Sequence, residues 1–550
     1  MKVWDTLRKW GRGLMQRTAS ATGIAREYKD IFEIGGVPAY RQFYEFGIFI
    51  WKYLYRGLYK NWHIISAPTI KNPNARRELF RLNTAKAVCA ELASLVWGEQ
   101  AEIHISTNGH AEEKDADGVV TNPDPLNAFV AEVLRRNAFS EKAQELIEQA
   151  LALGGAAIKA RWDARRDSKG GAVPGTEGIR LDYCMADQFI PTAWDNAKVT
   201  EGVFISRQAK GGYYFTRLEW HKWDGVTYTV RNDLYRSEIQ RGAAAGQNQD
   251  ILGIRVPLAE AFPWLDEETV VPVGESLFSY FRTPIANNID DNSPLGVSIY
   301  ANALETLHAI DICYDSFVQE FRLGKKKIIV PARMLRSVAD PQTGEMRRYY
   351  DPNDEVFVGM AGNDAGTDDI HEITVELRVE EHVAALNALL SVLCLQLGFS
   401  ANTFSFDREG GLRTATEVVS ENSKTYKTVK TVQNQIAPAL EHMVRNIIDV
   451  AALYDMEWDG QSVAALRDRG YEVKITFDDG VTQDRTTNLN EGVMLVGAGV
   501  LSKFTLLTDR KYGIGLTEKE AAAELERVNK EKQNTRIIDE NQVRLFGGGA

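Results

Sequence analysis

A chain of 550 residues that is 44% hydrophobic and 25% charged is long enough for several cores, and its apolar content excludes a disordered or low-complexity protein. Its net charge of −12 excludes a general nucleic-acid coat, whose affinity comes from lysine and arginine neutralising phosphates. The four cysteines, Cys89, Cys184, Cys313 and Cys394, are scattered without a CxxC pair, which points to free thiols in a reducing compartment rather than to disulfides or zinc.

The N-terminal stretch MKVWDTLRKWGRGLMQR is basic and sets Trp4, Leu7, Trp10 and Leu14 at near-helical spacing, without the apolar centre of a signal peptide. It reads as a helix docking on its own protein or on a neighbouring copy, with a membrane-surface helix as the alternative. The most apolar run, Phe46 to Leu58, contains Lys52 and Arg56 and is too short to span a bilayer. An amphipathic helix is expected from Arg76 to Trp97, on Leu79, Leu82, Ala85, Cys89, Leu92 and Val96, followed by a strand over Glu102 to Ser106. After a polar insert a second helical pair ends near Gly154 and Gly155. From Ala156 the period changes to β-branched and aromatic runs, predicting mostly antiparallel sheet over residues 156–285, with Asp224-Gly225 as a two-residue hairpin turn.

The segment Asn287 to Ile299 predicts a helix start, with Ser293 as cap and Pro294 in the first turn. That helix stops at Gly324 in a left-handed conformation, and Lys325, Lys326 and Lys327 complement its negative end. Strands are expected over Lys325 to Val330, Met346 to Tyr350 and Glu355 to Val358, then a helix from Arg378 to Leu397 that stops at Gly398. A β-module between two helices predicts a stalk with a tip. A short loop, Asn402 to Gly411, follows. From Arg413 to Asp455 apolar residues recur at Val418, Tyr426, Val429, Val432, Ile436, Leu440, Met443, Ile447 and Ala451, one stripe on a helix of roughly 64 Å. Pro438 inside the stripe predicts a kink, and two helices broken there are the alternative. Beyond it come a strand over Val473 to Phe477, a helix over Leu489 to Gly497 and a charged helix over Thr517 to Lys532, opened by a Thr517 and Glu520 capping box.

Motifs of chemistry are absent from the sequence. There is no GxxxxGK[ST] phosphate loop, no HExxH, GxSxG or kinase-like set, and the eight histidines are dispersed. Glu113, Asp115, Asp117, Gly118 and Asp124 approximate a calcium-loop spacing, but Glu in first position and Pro123 beside the last ligand favour a solvated insert. No catalytic residue, metal or cofactor is therefore expected.

Four stretches carry a family resemblance: LNTAKAVCAELASLVWGEQAEI from Leu82, NNIDDNSPLGVSIYANALETLHAIDICYDSF from Asn287, RTATEVVSENSKTYKTVKTVQNQI from Arg413 and VMLVGAGVLSKFTLL from Val493. They are spread over most of the chain, and it resembles the portal proteins of tailed double-stranded DNA bacteriophages of the long-tailed type. The resemblance weakens from Ala111 to Val120 and from Ala209 to Glu275. It implies an α+β portal-like fold of dodecameric rings at one capsid vertex. Wing would be 1–293, stem helices 294–323 and 378–400, clip 324–377, tunnel loop 401–412, further wing with the long helix 413–486, and crown 487–550. It places Asn402, Phe404, Phe406, Asp407, Arg408, Gly410 and Gly411 towards the DNA channel and Lys325 to Lys327 at the clip base. Implied partners are further copies, the passing duplex, the terminase large subunit, major capsid and scaffolding proteins and a head-tail adaptor, with assembly in the host cytoplasm and no membrane. An acidic balance suits such a conduit, because a strongly basic bore clamps a duplex that has to slide. An enzyme of unrecognised type and a membrane-surface scaffold using Trp4 and Trp10 are the competing readings.

Overall fold

The computed structural model describes residues 47–67, 73–98, 101–110, 122–164, 177–196, 198–239, 251–324, 376–401, 403–406, 415–477 and 485–508, five strands between residues 327 and 373, and short pieces elsewhere. The chain forms two compact units, one of residues 1–52, 88–299 and 411–550, the other of residues 53–87 and 300–410. Long helices and largely antiparallel sheets make it α+β. Among the described residues no helix is long and apolar enough to cross a membrane.

In the first unit, helix Pro125–Arg136 starts where Asp124 accepts hydrogen bonds from the Leu126 and Asn127 amides. The same buried carboxylate takes the Thr107 amide and hydroxyl at 2.6 and 2.9 Å. It is therefore a helix cap and a strand anchor. Glu113, Asp115, Asp117 and Gly118 lie outside the described residues. The anchored strand, Ala101–Thr107, pairs along its length with Tyr471–Phe477. Helix Phe139–Leu153 ends at Gly154 with φ 94°.

The sheet region forms two sheets. Gly155–Asp163 lies between Phe278–Arg282 and Gly178–Met185, and a six-stranded sheet runs from Phe189–Asp195 through Lys198–Lys210 and Tyr213–Trp223 to Tyr228–Glu238, which pairs with both Ile254–Val256 and Glu268–Val271. Phe189, Phe204 and Phe278 pack between them in tilted and edge-to-face pairs, with ring centroids 4.9 to 5.4 Å apart. A buried ionic cluster crosses the same joint. Lys159 pairs with Glu219 and, at 3.4 Å, with Asp182; Arg217 reaches Glu219 at 2.6 Å; and His221 Nε2 donates to Glu219 at 3.0 Å, leaving Nδ1 to accept from the Tyr228 hydroxyl. Burial by itself raises the Glu219 carboxyl, but Lys159 and Arg217 outweigh it and hold that carboxyl well below the usual range.

The two-residue turn expected at Asp224-Gly225 falls elsewhere. The two-residue hairpin is Gly211-Gly212, both at positive φ, between the paired Lys210 and Tyr213. At Asp224-Gly225 the loop is longer, because Trp223 pairs with Tyr228, and the Asp224 carboxylate gathers the Val226 and Thr227 amides and the Thr227 hydroxyl.

The helix expected from Pro294 begins ten residues later, at Leu304. Ser293 accepts only the Leu295 amide, Asn287 donates to the Leu295 carbonyl, Thr283 donates to the Val297 carbonyl, and the Ile299 amide donates to Leu151. Those tertiary bonds hold 293–299 outside a helix. At Gly296 a Cβ meets the Gly154 carbonyl at 2.1 Å, so the two backbones touch only because both residues are glycine.

Helix Ala415–Leu453 runs unbroken through Pro438, which overturns the two-helix alternative. Pro438 and Asn434 are both solvent-exposed, so water can serve the carbonyl that proline leaves unbonded. Val429, Val432, Ile436, Leu440, Met443, Ile447 and Ala451 are buried as the stripe predicted, and Gln433 donates to the Val96 carbonyl. At the other end of the chain, residues 520–528 are helical, while Thr517 of the proposed capping box and the basic segment with Trp4 and Trp10 lie outside the described residues.

In the second unit, two aspartates on helix Leu304–Leu323 reorganise residues 76–83. Asp315 accepts both Arg77 guanidinium nitrogens at 2.7 and 2.6 Å and the Phe80 amide, while Asp311 accepts the Leu82 amide and pairs with His63 at 3.0 Å. Residues Arg76–Glu78 form a strand against Ile64–Ser66, Asn83 takes φ 55°, and the helix expected from Arg76 starts at Thr84. The Arg77 hydrogen bonds hold the Asp315 carboxyl below its ordinary range. Asp315→Ala is expected to cost roughly 2–3 kcal/mol, below the range for fully buried pairs because the Arg77 side chain is partly exposed. Chemical denaturation of the second unit measures it.

Candidate nucleic-acid interface

Helix Val379–Leu397 ends at Gly398, whose φ of 80° matches the expected stop. The chain then folds back on that helix. The Phe399 amide donates to Cys394, Phe399 is buried, and Thr403 closes a turn on the Ser400 carbonyl through its amide and hydroxyl, at 3.1 and 2.8 Å. Phe404 meets Phe399 edge to face, centroids 5.2 Å apart, and is half-buried. Phe406 is 54% exposed, its amide tied to the Asn387 side chain at 3.0 Å. One loop aromatic thus anchors the turn and the next faces solvent. Asn402, Asp407, Arg408, Gly410 and Gly411 lie outside the described residues.

The base of the β-module is held by an ion pair the sequence did not suggest. Arg378, just before the second helix, donates from two guanidinium nitrogens to Glu320 near the end of the first, at 3.1 and 2.9 Å. Those bonds bring the Glu320 carboxyl down to about 2. Phe317 and His382 rings meet at 5.7 Å, so the two helices pack side by side. Gly324 has φ −76°, not the left-handed stop expected; it is confined by space, because a Cβ meets the Leu377 side chain at 2.4 Å. Lys325 and Lys326 lie outside the described residues, and Lys327 opens strand Lys327–Pro331, which lies between Phe357–Met360 and His371–Ile373. Ser337–Ala339 and Met346–Arg348 form a separate hairpin.

Two surfaces escaped the sequence reading. Helix Val379–Leu397 is apolar on two faces: Leu386, Leu390, Leu393, Cys394 and Leu397 are buried, whereas Ala385, Ala388, Val392 and Leu395 form an exposed stripe. A helix apolar all round signals burial on all sides, a signal the single-stripe search passed over. The second surface is the solvent face of the first half of the long helix. It presents Lys424, Lys427 and Lys430, and the sequence between Glu421 and Glu441 holds no acidic residue.

Among the described residues no group of three or more His, Cys, Asp or Glu side chains is placed to hold a metal ion. The described cysteines are free thiols, Cys89 and Cys394 buried. No curated protein matches the sequence. Residues 50–536, nearly the whole chain, match the family described as phage portal protein, SPP1 Gp6-like, and the chain belongs to that family of structural capsid proteins.

Proposed function

We propose that the chain assembles into a dodecameric ring at one capsid vertex and forms the channel through which the phage genome is packaged and ejected. The stem is the helix pair ending at Leu323 and beginning at Val379, the clip is the β-module between them, and residues 402–411 line the channel. The observation that supports this best is the uncovered stripe Ala385, Ala388, Val392 and Leu395. A stem helix needs one apolar face for its own chain and another for the next copy, and a head-to-tail ring supplies that second cover at every subunit. The clip is the docking surface for the terminase large subunit during packaging and for a head-tail adaptor afterwards. Major capsid and scaffolding proteins meet the outer wing. The chain does no ATP-driven work itself.

Negative-stain imaging with native mass spectrometry of the purified chain tests the assembly. The expected result is a closed ring with a central hole; a sharp monomer or dimer at micromolar protein sinks it. Within the ring, Arg408 supplies one band of positive charge whose reach is screened beyond about 8 Å at physiological salt, enough for passing phosphate contacts without clamping. Arg408→Glu is expected to leave assembly and melting temperature unchanged while lowering the DNA packaged or retained. Normal packaging by that variant removes the loop from the channel wall.

A further inference from the structure

Three residues that line one small cavity in the second unit each carry a buried polar atom without a hydrogen-bond partner among the described residues: His63 Nδ1, Asn83 Oδ1 and Thr84 Oγ1. His63 is 2% exposed and Thr84 7%. A buried polar atom left unpaired is costly, and three around one space ask for a shared partner. Leu54, Trp62 and Leu307 supply the apolar part of the wall. Gly57, at φ 65°, leaves the space beside Asn83 open, because a Cβ there lies 3.2 Å from Asn83 Oδ1 and 3.5 Å from Arg81 Nε.

The lining selects the ligand. His63 Nε2 lies 3.0 Å from the Asp311 carboxylate, which keeps the hydrogen on that nitrogen and leaves Nδ1 with a lone pair. Asn83 Oδ1 only accepts, and the Thr84 hydroxyl is able to donate. The set therefore needs a molecule that gives two hydrogen bonds and takes one, which a water molecule does. The space open to it is about 20 Å³, above the roughly 10–15 Å³ that one water needs and too little for an organic ligand. A monovalent cation is the competing occupant. Both Asp311 oxygens are already engaged, one by the Leu82 amide and one by His63, and Arg81 in the same lining brings a positive charge. A cation there meets a guanidinium and no free carboxylate, so the neutral donor is favoured.

We propose that the second unit holds an internal water site, in which one molecule donates to His63 Nδ1 and Asn83 Oδ1 and accepts from the Thr84 hydroxyl. The water ties helix Lys60–His63 to residues 83 and 84, beside the direct bonds that Asp311 makes to His63 and to the Leu82 amide.

An experimental structure of the purified full chain, at a resolution that shows ordered water, tests the site. The expected result is one density peak at roughly 2.6–3.2 Å from all three atoms. The peak is expected to persist in Thr84→Ser and to weaken or vanish in Thr84→Val. Preparation in rubidium chloride in place of sodium chloride is expected to leave the peak unchanged; a stronger peak identifies a cation and overturns the water. Urea denaturation supplies a second readout whose sign decides. Threonine and valine have similar helix preferences, so that term is nearly constant between them. If the hydroxyl serves a water, Thr84→Val lowers the urea midpoint, because a bridged partner is lost. If the hydroxyl is simply unpaired, its replacement by a methyl group leaves the midpoint unchanged or raises it. Absence of the peak in the wild-type chain, or a Thr84→Val midpoint at or above wild type, overturns the proposal.

Discussion

The double variant Val392→Glu, Leu395→Glu is expected to abolish the ring and leave a folded monomer. In the single chain these side chains are 46% and 70% exposed, on the face of helix Val379–Leu397 opposite buried Leu386, Leu390, Leu393 and Leu397. Exposed substitutions away from caps and cores shift stability by about 0.5 kcal/mol or less, so monomer melting is expected to change little. Assembly behaves otherwise. Burying a valine or leucine side chain fully contributes about 1.5–3 kcal/mol, and placing an unpaired carboxylate in the same apolar contact costs several kcal/mol more. A closed ring repeats that loss at every interface. Native mass spectrometry is expected to show monomer where wild type shows the ring, with the far-ultraviolet circular dichroism of the two unchanged. A double variant that still closes rings places the copy-to-copy contact elsewhere, with the exposed apolar residues Val493, Met494 and Val500 as the next candidates.

Glu219→Ala is expected to be the most damaging single change in the first unit, at roughly 3–5 kcal/mol, the range found when one partner of a buried ion pair is removed. Lys159 is 3% exposed and Glu219 6%, so the substitution leaves an ammonium buried beside Phe204 with only Asp182, at 3.4 Å, to balance it. Arg217 and His221 lose their shared acceptor as well. Glu219→Gln keeps the volume and one acceptor and is expected to fall between. The dependence on pH has a definite sign. The Glu219 carboxyl sits below its unfolded value of about 4.3, so its contribution is present above that pH and is lost as pH falls through the folded value. Burial, against the opposing pull of Glu219, also pushes the His221 imidazole below its unfolded value of about 6.5, so its neutral form stabilises the fold above that pH and the benefit fades on acidification. The gap between wild type and Glu219→Ala in urea midpoint is therefore expected to persist from neutrality down to about pH 4.3 and to narrow only below it, as the folded-state carboxylate is protonated. A gap that already closes between pH 7 and pH 5 refutes the ionic account.

The loop expected to touch DNA was legible as a loop but not in its detail. Two phenylalanines separated by one residue look alike in a sequence. Phe404 is half-buried because Phe399 offers its ring, and Phe406 is exposed because the Asn387 side chain holds its amide and turns the chain outward. Neither partner is visible without the fold. The same holds for Asp311 and Asp315, which read as ordinary polar positions on a helix and in fact seize backbone amides from residues 80 and 82.

The sequence by itself determined the portal family, the order of helix, β-module, helix, loop and long helix, the buried stripe from Val429 to Ala451 and the helix stop at Gly398. These are local properties, set by side-chain period and by residues with special backbone freedom, and they survive because neighbours in sequence are neighbours in space. Tertiary structure alone decided that Ala101–Thr107 pairs with Tyr471–Phe477, that Arg76–Glu78 is a strand and not a helix, and that Ser293 and Pro294 do not start one. In each case a backbone amide or carbonyl is satisfied by a group distant in sequence or by a competing side chain. A hydrogen bond of that kind outweighs helix preferences of a few tenths of a kcal/mol per residue, and no local pattern records it.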